Sequence, residues 1–448
     1  MEAFLSKKRP RRSAATQVIR RQPLPKDLDS NEEDTSTDFK LATLASLHPN
    51  VDQAALLDLL ISAEGSLDAV TEILFASRGD GSSRKRSATG TGYQSSLAAF
   101  RRPGDSQSAK RRALTRKGQT LHLYTPEDIL AHTPCSIIHN FLPTQQADNL
   151  LKELLEEAPT FESQTFKLFD NVVQSPHTAC FYVDGLEEQK RQKTEYLYNG
   201  SFLEDIRQIT PQMRAVSATV QTAVNEEIAK RIKSHYPDGK KLNYQSPHEW
   251  IPNAAFVNCY KGGAESVGYH SDQLTYLGPR AVIGSLSLGV AREFRVRKIV
   301  ARDDEEHARS KDQRANAEGQ VAIHLPHNSL LVMHAEMQEE WKHSIHPTPV
   351  IDPHPIAGNK RINVTYRYYR ESFHPRYTPR CKCGVATVLR CVQRKKENKG
   401  RYMWMCHAGN TPAKEGCSFF QWAEFDDDGE PPWVKKPEYS VDEKTGQN

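Results

Sequence analysis

The sequence predicts a mostly β central domain set between a small helical bundle and a small cysteine-rich module. Three observations predict it. Short runs rich in Tyr, Phe, Val and Ile recur with turns between them across residues 121–375, the pattern of a sandwich or barrel. Residues 36–80 repeat leucine at helical spacing. Five of the eight cysteines crowd into residues 381–417.

The 448 residues allow about two to four domains. Hydrophobic residues make up only 37% and mean hydropathy is −0.68, too polar for one compact globule of this length. Unpacked segments are therefore expected. No apolar run reaches the ~20 residues of a membrane span. At the N-terminus the charge of Lys7, Lys8, Arg9, Arg11 and Arg12 follows the few apolar residues, which argues against a secretory signal. Without an export signal, clustered cysteines suggest metal before disulfides.

Residues 1–35 read as a disordered tail. Their basic block fits a nuclear-import signal or a nucleic-acid arm, and a solvated charged tail would read the same way. Over residues 36–80, Leu41, Leu44, Leu47, Leu56, Leu59, Leu60, Leu67, Val70, Ile73 and Leu74 predict three short helices broken at His48-Pro49-Asn50 and Glu64-Gly65-Ser66. This arrangement resembles a CUE domain and so implies ubiquitin as a partner. His48-Pro49 stands where that family has Phe-Pro, and Ile73-Leu74 where it has a di-leucine. A purely structural bundle fits the same residues. Residues 81–120 return to Gly, Ser, Arg and Lys and read as a linker. Within it, Gln94, Leu97 and Phe100 resemble a sliding-clamp docking peptide, with Arg101 in place of the second aromatic. One helical turn would put Leu97 and Phe100 on one face as anchors.

In the central domain, strands are expected over 255–260, 281–290, 293–300, 321–325, 329–333 and 362–369. Helices are expected over 145–157 and 211–235. The charged stretch 301–320 reads as a surface insertion. A strand alternates faces, so His270 and Asp272 point the same way. One imidazole and one carboxylate on a face are two corners of a two-His-one-carboxylate site, which leaves positions on Fe(II) open. His343, in Trp341-Lys-His343-Ser344, supplies the third corner, with His346 as a competitor. Alternation also puts Arg361, Asn363, Thr365 and Arg367 on one face, where a guanidinium fork suits a dicarboxylate. His-x-Asp alone is common by chance, and its order and company here are what carry weight.

With Asn258-x-Tyr260 and Gly262-Gly263 preceding it, this series resembles the AlkB family over residues 125–370. The resemblance implies a double-stranded β-helix, or jelly roll. Iron would be bound by His270, Asp272 and His343. The cosubstrate 2-oxoglutarate would be held by Arg361, with Asn258, Tyr260, Asn363 and Arg367 completing its site. Arg292 falls where the family has Arg-x-Phe. The implied reaction consumes O2 and 2-oxoglutarate, hydroxylates the carbon on an alkylated base nitrogen and releases formaldehyde. A base in a duplex must first be flipped out, and Tyr198 would stack on it. DNA-repair members carry an acidic residue two positions after the aspartate, whereas this chain has Leu274.

Cys381, Cys383, Cys406 and Cys417 form two pairs of thiolates that suit tetrahedral zinc. Cys-x-Cys-Gly, Asn-x-Gly-Arg-Tyr402 and Cys417-x-Phe-Phe-x-Trp422 together resemble a GRF zinc finger over residues 376–428, leaving 429–448 as a tail. Cys391 and His407 read as bystanders. Basic residues interleave with Tyr402, Trp404, Phe419, Phe420 and Trp422, a composition that grips single strands, so the finger is expected to bind single-stranded DNA. A finger that only packs on the enzyme domain would need some of the same aromatics as core. Every expected iron and 2-oxoglutarate residue precedes Pro379, so the iron site is expected to survive removal of the finger.

The leading expectation is a nuclear DNA demethylase acting on bases such as 1-methyladenine and 3-methylcytosine. An RNA demethylase or a protein hydroxylase would share the scaffold. A non-catalytic ubiquitin- and DNA-binding adaptor would predict a broken triad or a lost Arg361. For the linker peptide, Leu97→Ala with Phe100→Ala should weaken binding of residues 90–110 to the sliding clamp, since these are its only apolar anchors. A wild-type peptide that does not bind returns the stretch to plain linker.

Overall fold

A computed structural model describes residues 120–168, 171–198, 202–301, 319–393, 395–410 and 415–434, with isolated positions between 44 and 73. The basic tail, the clamp-like peptide and most of the charged stretch 301–320 lie outside the described residues. Of the expected bundle, Leu44, Leu56, Leu60, Ala63 and Val70 form a buried cluster of their own. Ile73 is exposed. No helix among the described residues is long and apolar enough to cross a membrane.

From Thr120 the elements run β1 (Thr120–Leu123), α1 (Pro126–His132), β2 (Cys135–His139), α2 (Thr144–Glu157), β3 (Glu162–Leu168), β4 (Asn171–Val183), α3 (Leu186–Glu195), β5 (Ile206–Gln208) and α4 (Pro211–His235). There follow β6 (Ala254–Lys261), β7 (Val267–His270), β8 (Ile283–Gly289), β9 (Arg292–Lys298), β10 (Gln320–Leu325), β11 (Ser329–Met333), the single turn α5 (Met337–Glu340), β12 (Trp341–Ile345) and β13 (Lys360–Arg367). Thr210 caps α4 by accepting from the Met213 N–H, and Pro211 takes the first turn, where its missing N–H costs nothing.

The strands build a small sheet ordered β1-β10-β9-β12-β7 and a large sheet ordered β2-β11-β8-β13-β6-β4-β3, with β5 beside β4. This is the expected mostly β jelly-roll core. The large sheet is covered on both faces. Val257, Cys259, Leu286, Leu288, Leu330, Val332, Ile362 and Val364 share a core with Leu150, Leu151 and Leu154 of α2 and Val216, Val220 and Val224 of α4. The alternate residues face the small sheet, where Tyr260, Ile283 and Leu331 join Phe294, Ile323 and Leu325. Double coverage explains why β8 is buried at every position and reads as a continuous run.

The β4–β6–β13–β8 pairing places Tyr260 opposite Arg361 and Asn258 opposite Asn363, so both pairs share the inner face. The sequence reading found β6, β8–β11 and β13 but not β2–β4 or β12. Those strands include Pro176 and several polar residues, which blurs the period-2 signal.

The finger is a three-stranded sheet of β14 (Val388–Cys391), β15 (Tyr402–Met405) and β16 (Phe420–Trp422). The finger packs on the iron domain, one of the two readings open for its aromatics. Leu389, Tyr402 and Trp404 are buried in the same core as Leu274, Leu277, Met337 and Phe373. A module this small has too little interior of its own, and it completes one by packing on the larger domain.

Gly289 ends β8 at φ +86°, and a Cβ there would lie 2.5 Å from the Lys360 carbonyl oxygen. Gly289→Ala should therefore cost roughly 1–3 kcal/mol of stability, read as a lowered denaturation midpoint. An unchanged midpoint would show that this turn relaxes without cost.

Candidate active site and metal centres

His270 ends β7 and Asp272 follows two residues on, while His343 is central in β12, directly opposite His270. One ring nitrogen from each histidine and one Asp272 oxygen lie within 4.8 Å of one another. His343 Nε2 is 3.3 Å and His270 Nε2 3.5 Å from Asp272 Oδ1. Neighbouring ligands around one first-row ion stand on the order of 3 Å apart, so these residues fit a metal. His270 Nδ1 donates to the Gly268 carbonyl at 2.8 Å, which leaves Nε2 bare for the ion. His343 is buried and stacks on Phe294 at 5.3 Å. Burial, with the nearby His270, pushes its pKa down to about 4, so it is a neutral imidazole at physiological pH. His346, the competitor, is not in this group.

Burial alone would raise the pKa of Asp272. The Arg367 guanidinium and the two imidazoles outweigh burial and hold the carboxyl well below the usual range. Arg367 Nη2 donates to Asp272 Oδ2 at 2.6 Å. Arg367 was expected to complete the 2-oxoglutarate site, but its strongest partner is the metal-facing carboxylate. Its Nη1 stays without a partner.

Arg361 is 1% exposed. Nη2 donates to Ser287 Oγ and Asn363 Oδ1, both at 2.8 Å, whereas buried Nε and Nη1 have no acceptor. No carboxylate pairs with it among the described residues. Burial pushes its pKa down to about 10, so it stays charged at neutral pH. A buried cation with two idle donors fits an incoming carboxylate. Tyr260 lies under it, 5.3 Å from guanidinium carbon to ring centroid. Asn363 links Arg361, Ser285 and Thr365 by hydrogen bonds.

Two residues have roles that sequence reasoning did not give them. His177 of β4 stacks on Tyr260 at 4.8 Å and sits beside Asn258, and burial pushes its pKa down to about 4. The strand that carries it was not predicted, so nothing flagged it. Arg292 is buried and donates to the carbonyls of Gly262, Gly263, Glu265 and His346. It pins the loop between β6 and β7 to the end of β12.

Tyr198 is partly buried against Phe181, Phe256 and Tyr276, and its hydroxyl donates to Gln192 at 2.5 Å. It belongs to an aromatic wall that continues to Phe256, which Arg367 overlies at 5.0 Å. Leu274 is buried toward the finger and Thr275 accepts from the Leu389 N–H. The departure from an acidic residue at position 274 therefore serves packing.

Cys381, Cys383, Cys406 and Cys417 bring their sulfurs within 4.8 Å of one another. Cys383 and Cys406 sulfurs are 4.0 Å apart, near the ~3.8 Å expected for tetrahedral zinc thiolates. Cys391 is outside this group, and His407 hydrogen-bonds the Ala386 carbonyl. On the outer side of the finger sheet, Phe420 is exposed and Arg401 lies over Trp422 at 3.8 Å. A further group, His122, Glu293 and His324, lies across the small sheet, and there Arg295 already claims Glu293 at 2.7 Å.

Known proteins resemble the chain in the same two regions. The 2OG-Fe(II) oxygenase superfamily matches residues 134–367, more than half of the chain, and the GRF zinc finger matches residues 379–426. The chain is 33% identical over 125 residues to DNA oxidative demethylase ALKBH2 of Arabidopsis thaliana, covering 26% of this chain and 37% of that protein. It is 23% identical over 227 residues to alpha-ketoglutarate-dependent dioxygenase alkB homolog 3 of Homo sapiens, covering 51% and 63%. Against the DNA oxidative demethylase ALKBH2 of Homo sapiens it is 29% identical over 140 residues, covering 27% and 48%. The matches thus span less than two thirds of each relative's length.

His343→Ala should remove divalent-metal binding at this site, measured by Mn(II) titration of the folded protein, and His346→Ala should keep it. The reverse pattern would show that the ligand set is wrong.

Proposed function

We propose, from the premise that this chain belongs to the 2OG-Fe(II) oxygenase superfamily, that it demethylates alkylated bases in DNA oxidatively. The observation that carries the oxygenase chemistry is Arg361, a buried cation with two idle donors on the strand face that leads to His270, Asp272 and His343. The nucleic-acid part rests on the relatives named as DNA oxidative demethylases and on Arg401 over the half-buried Trp422 beside the exposed Phe420. A non-catalytic adaptor is disfavoured, because it would have no reason to keep a triad together with an unpaired buried guanidinium.

His270, Asp272 and His343 would hold Fe(II), and Arg361 would hold the far carboxylate of 2-oxoglutarate. When bound, these groups with O2 supply the oxidation: 2-oxoglutarate becomes succinate and CO2, and one oxygen atom enters a C–H bond of the base's N-methyl group. The N-hydroxymethyl product then loses formaldehyde as its C–N bond breaks, and the base nitrogen keeps the electron pair. The protein's own residues set the geometry for this. Arg367 keeps Asp272 ionised as a ligand. Tyr260 and His177 wall the cosubstrate side, with Asn258 and Asn363 fixing polar orientation. Tyr198, with Phe256 beside it, offers an aromatic face for a flipped base. The finger's Cys381, Cys383, Cys406 and Cys417 would hold zinc, and its outer face would track a single strand by charge and stacking. Nuclear action fits this reading, with the CUE-like residues 36–80 recruiting ubiquitin and the peptide 94–100 recruiting the sliding clamp.

The decisive test offers 1-methyladenine or 3-methylcytosine in DNA and RNA, single- and double-stranded, and follows loss of the methyl mass with and without 2-oxoglutarate. Cosubstrate-dependent loss from DNA is expected. Loss from RNA alone, or from neither, would overturn the DNA assignment. Arg361→Ala should raise the KM for 2-oxoglutarate at least tenfold, since a buried carboxylate without its charged partner typically costs ~2–5 kcal/mol. The KM for the nucleic acid should change little. Equal effects on both would remove the case for a carboxylate clamp.

A further inference from the structure

The segment that carries two of the three iron-site residues is held from the finger. Gln393, two residues past β14, donates from Nε2 to Ser271 Oγ at 3.3 Å and to the Gln338 carbonyl at 2.9 Å. Ser271 sits between His270 and Asp272 and itself donates to the Trp341 carbonyl at 3.0 Å. Gln338 Oε1 accepts the backbone N–H of Asp272 at 2.7 Å. Gln338 belongs to α5, and that turn runs directly into β12 with His343. One buried turn therefore touches both arms of the metal triad, and the finger rests on it.

The finger grips the same turn once more, and the segment after Asp272 as well. Tyr402 donates its hydroxyl to Glu339 Oε1 at 2.9 Å, an oxygen that also accepts the Arg280 N–H at 2.8 Å. Leu389 donates its N–H to Thr275 Oγ1 at 3.3 Å, three residues past Asp272. Around these bonds Leu389, Tyr402 and Trp404 share their core with Leu274, Leu277 and Met337. A zinc finger of this size draws its folding free energy largely from its metal. Whatever holds the finger folded then also holds the His270–Asp272 segment.

We propose that Gln393 is a positioning residue for the iron site, and that metal at the four cysteines strengthens metal binding at His270, Asp272 and His343. The proposal rests on the reading of those three residues as iron ligands. By linkage the coupling is reciprocal, so a metal and 2-oxoglutarate in the oxygenase site should slow zinc loss from the finger.

The test uses the full chain and Mn(II), which imidazole and carboxylate sites accept and thiolate sites disfavour. Mn(II) affinity is measured by electron paramagnetic resonance in the presence of 2-oxoglutarate. Zinc content and melting temperature are followed alongside. Gln393→Ala should keep its zinc and melt close to the wild type, yet bind Mn(II) about three- to tenfold more weakly, the worth of one hydrogen bond. Cys383→Ser should lose zinc and weaken Mn(II) further. If Cys383→Ser does not fold, Gln393→Ala decides alone. Wild-type Mn(II) affinity in Gln393→Ala overturns the coupling. The His343→Ala control separates the two ideas: if it binds Mn(II) like the wild type, the iron-site reading itself has failed.

Discussion

A carboxylate that is 6% exposed between two imidazoles would shed its charge by taking up a proton if burial alone decided. Arg367 prevents this. Its guanidinium lies 2.6 Å from Asp272 Oδ2 and leaves Oδ1 turned to His270 and His343. The pair sets conditions for everything around it. β13 must present Arg367 inward, so its alternate residues Ile362, Val364 and Tyr366 must face α2 and α4, and the helices must cover them. The inner face of β13 then also carries Arg361, which pairs with no carboxylate among the described residues. Two arginines six residues apart on one strand face thus have opposite circumstances, one paired with a carboxylate of the protein and one open to an external anion. Breaking the satisfied pair would strand a buried charge at a cost of about 3–5 kcal/mol.

Much of this arrangement is legible because a strand has a period of two. The spacing of Arg361, Asn363, Thr365 and Arg367 alone predicts a shared face, and the pairing of β13 with β6 bears that out. Legibility stops where a role depends on what lies across the fold. Arg367 pairs with a residue 95 positions away, and no local pattern distinguishes it from Arg361. Arg292 looks like an ordinary strand arginine until its fork is seen to reach four carbonyls from two distant segments. His177 sits on a strand whose polar residues and proline hide its alternation, and so its place beside Tyr260 was invisible.

The same alternation divides the aromatics of the finger, which composition alone treats as one group. On β15, Tyr402 and Trp404 point inward and are buried, while Met403 and Met405 lie on the other side. Their partners on β16 are Trp422 and Phe420, both on the more open face. An open aromatic face and a packing face therefore coexist on one three-stranded sheet, and neither expectation for the finger excludes the other. The inward set carries a further consequence. Tyr402 spends its hydroxyl on Glu339, whose pKa burial raises, and Leu389 spends its N–H on Thr275. Without the finger Glu339 Oε1 would keep only the Arg280 N–H, and the apolar neighbours Leu274, Leu277 and Met337 would lose the side chains that cover them. The oxygenase interior is thus as incomplete without the finger as the finger is without the oxygenase, and a cut at the point where the sequence suggests a boundary would expose both.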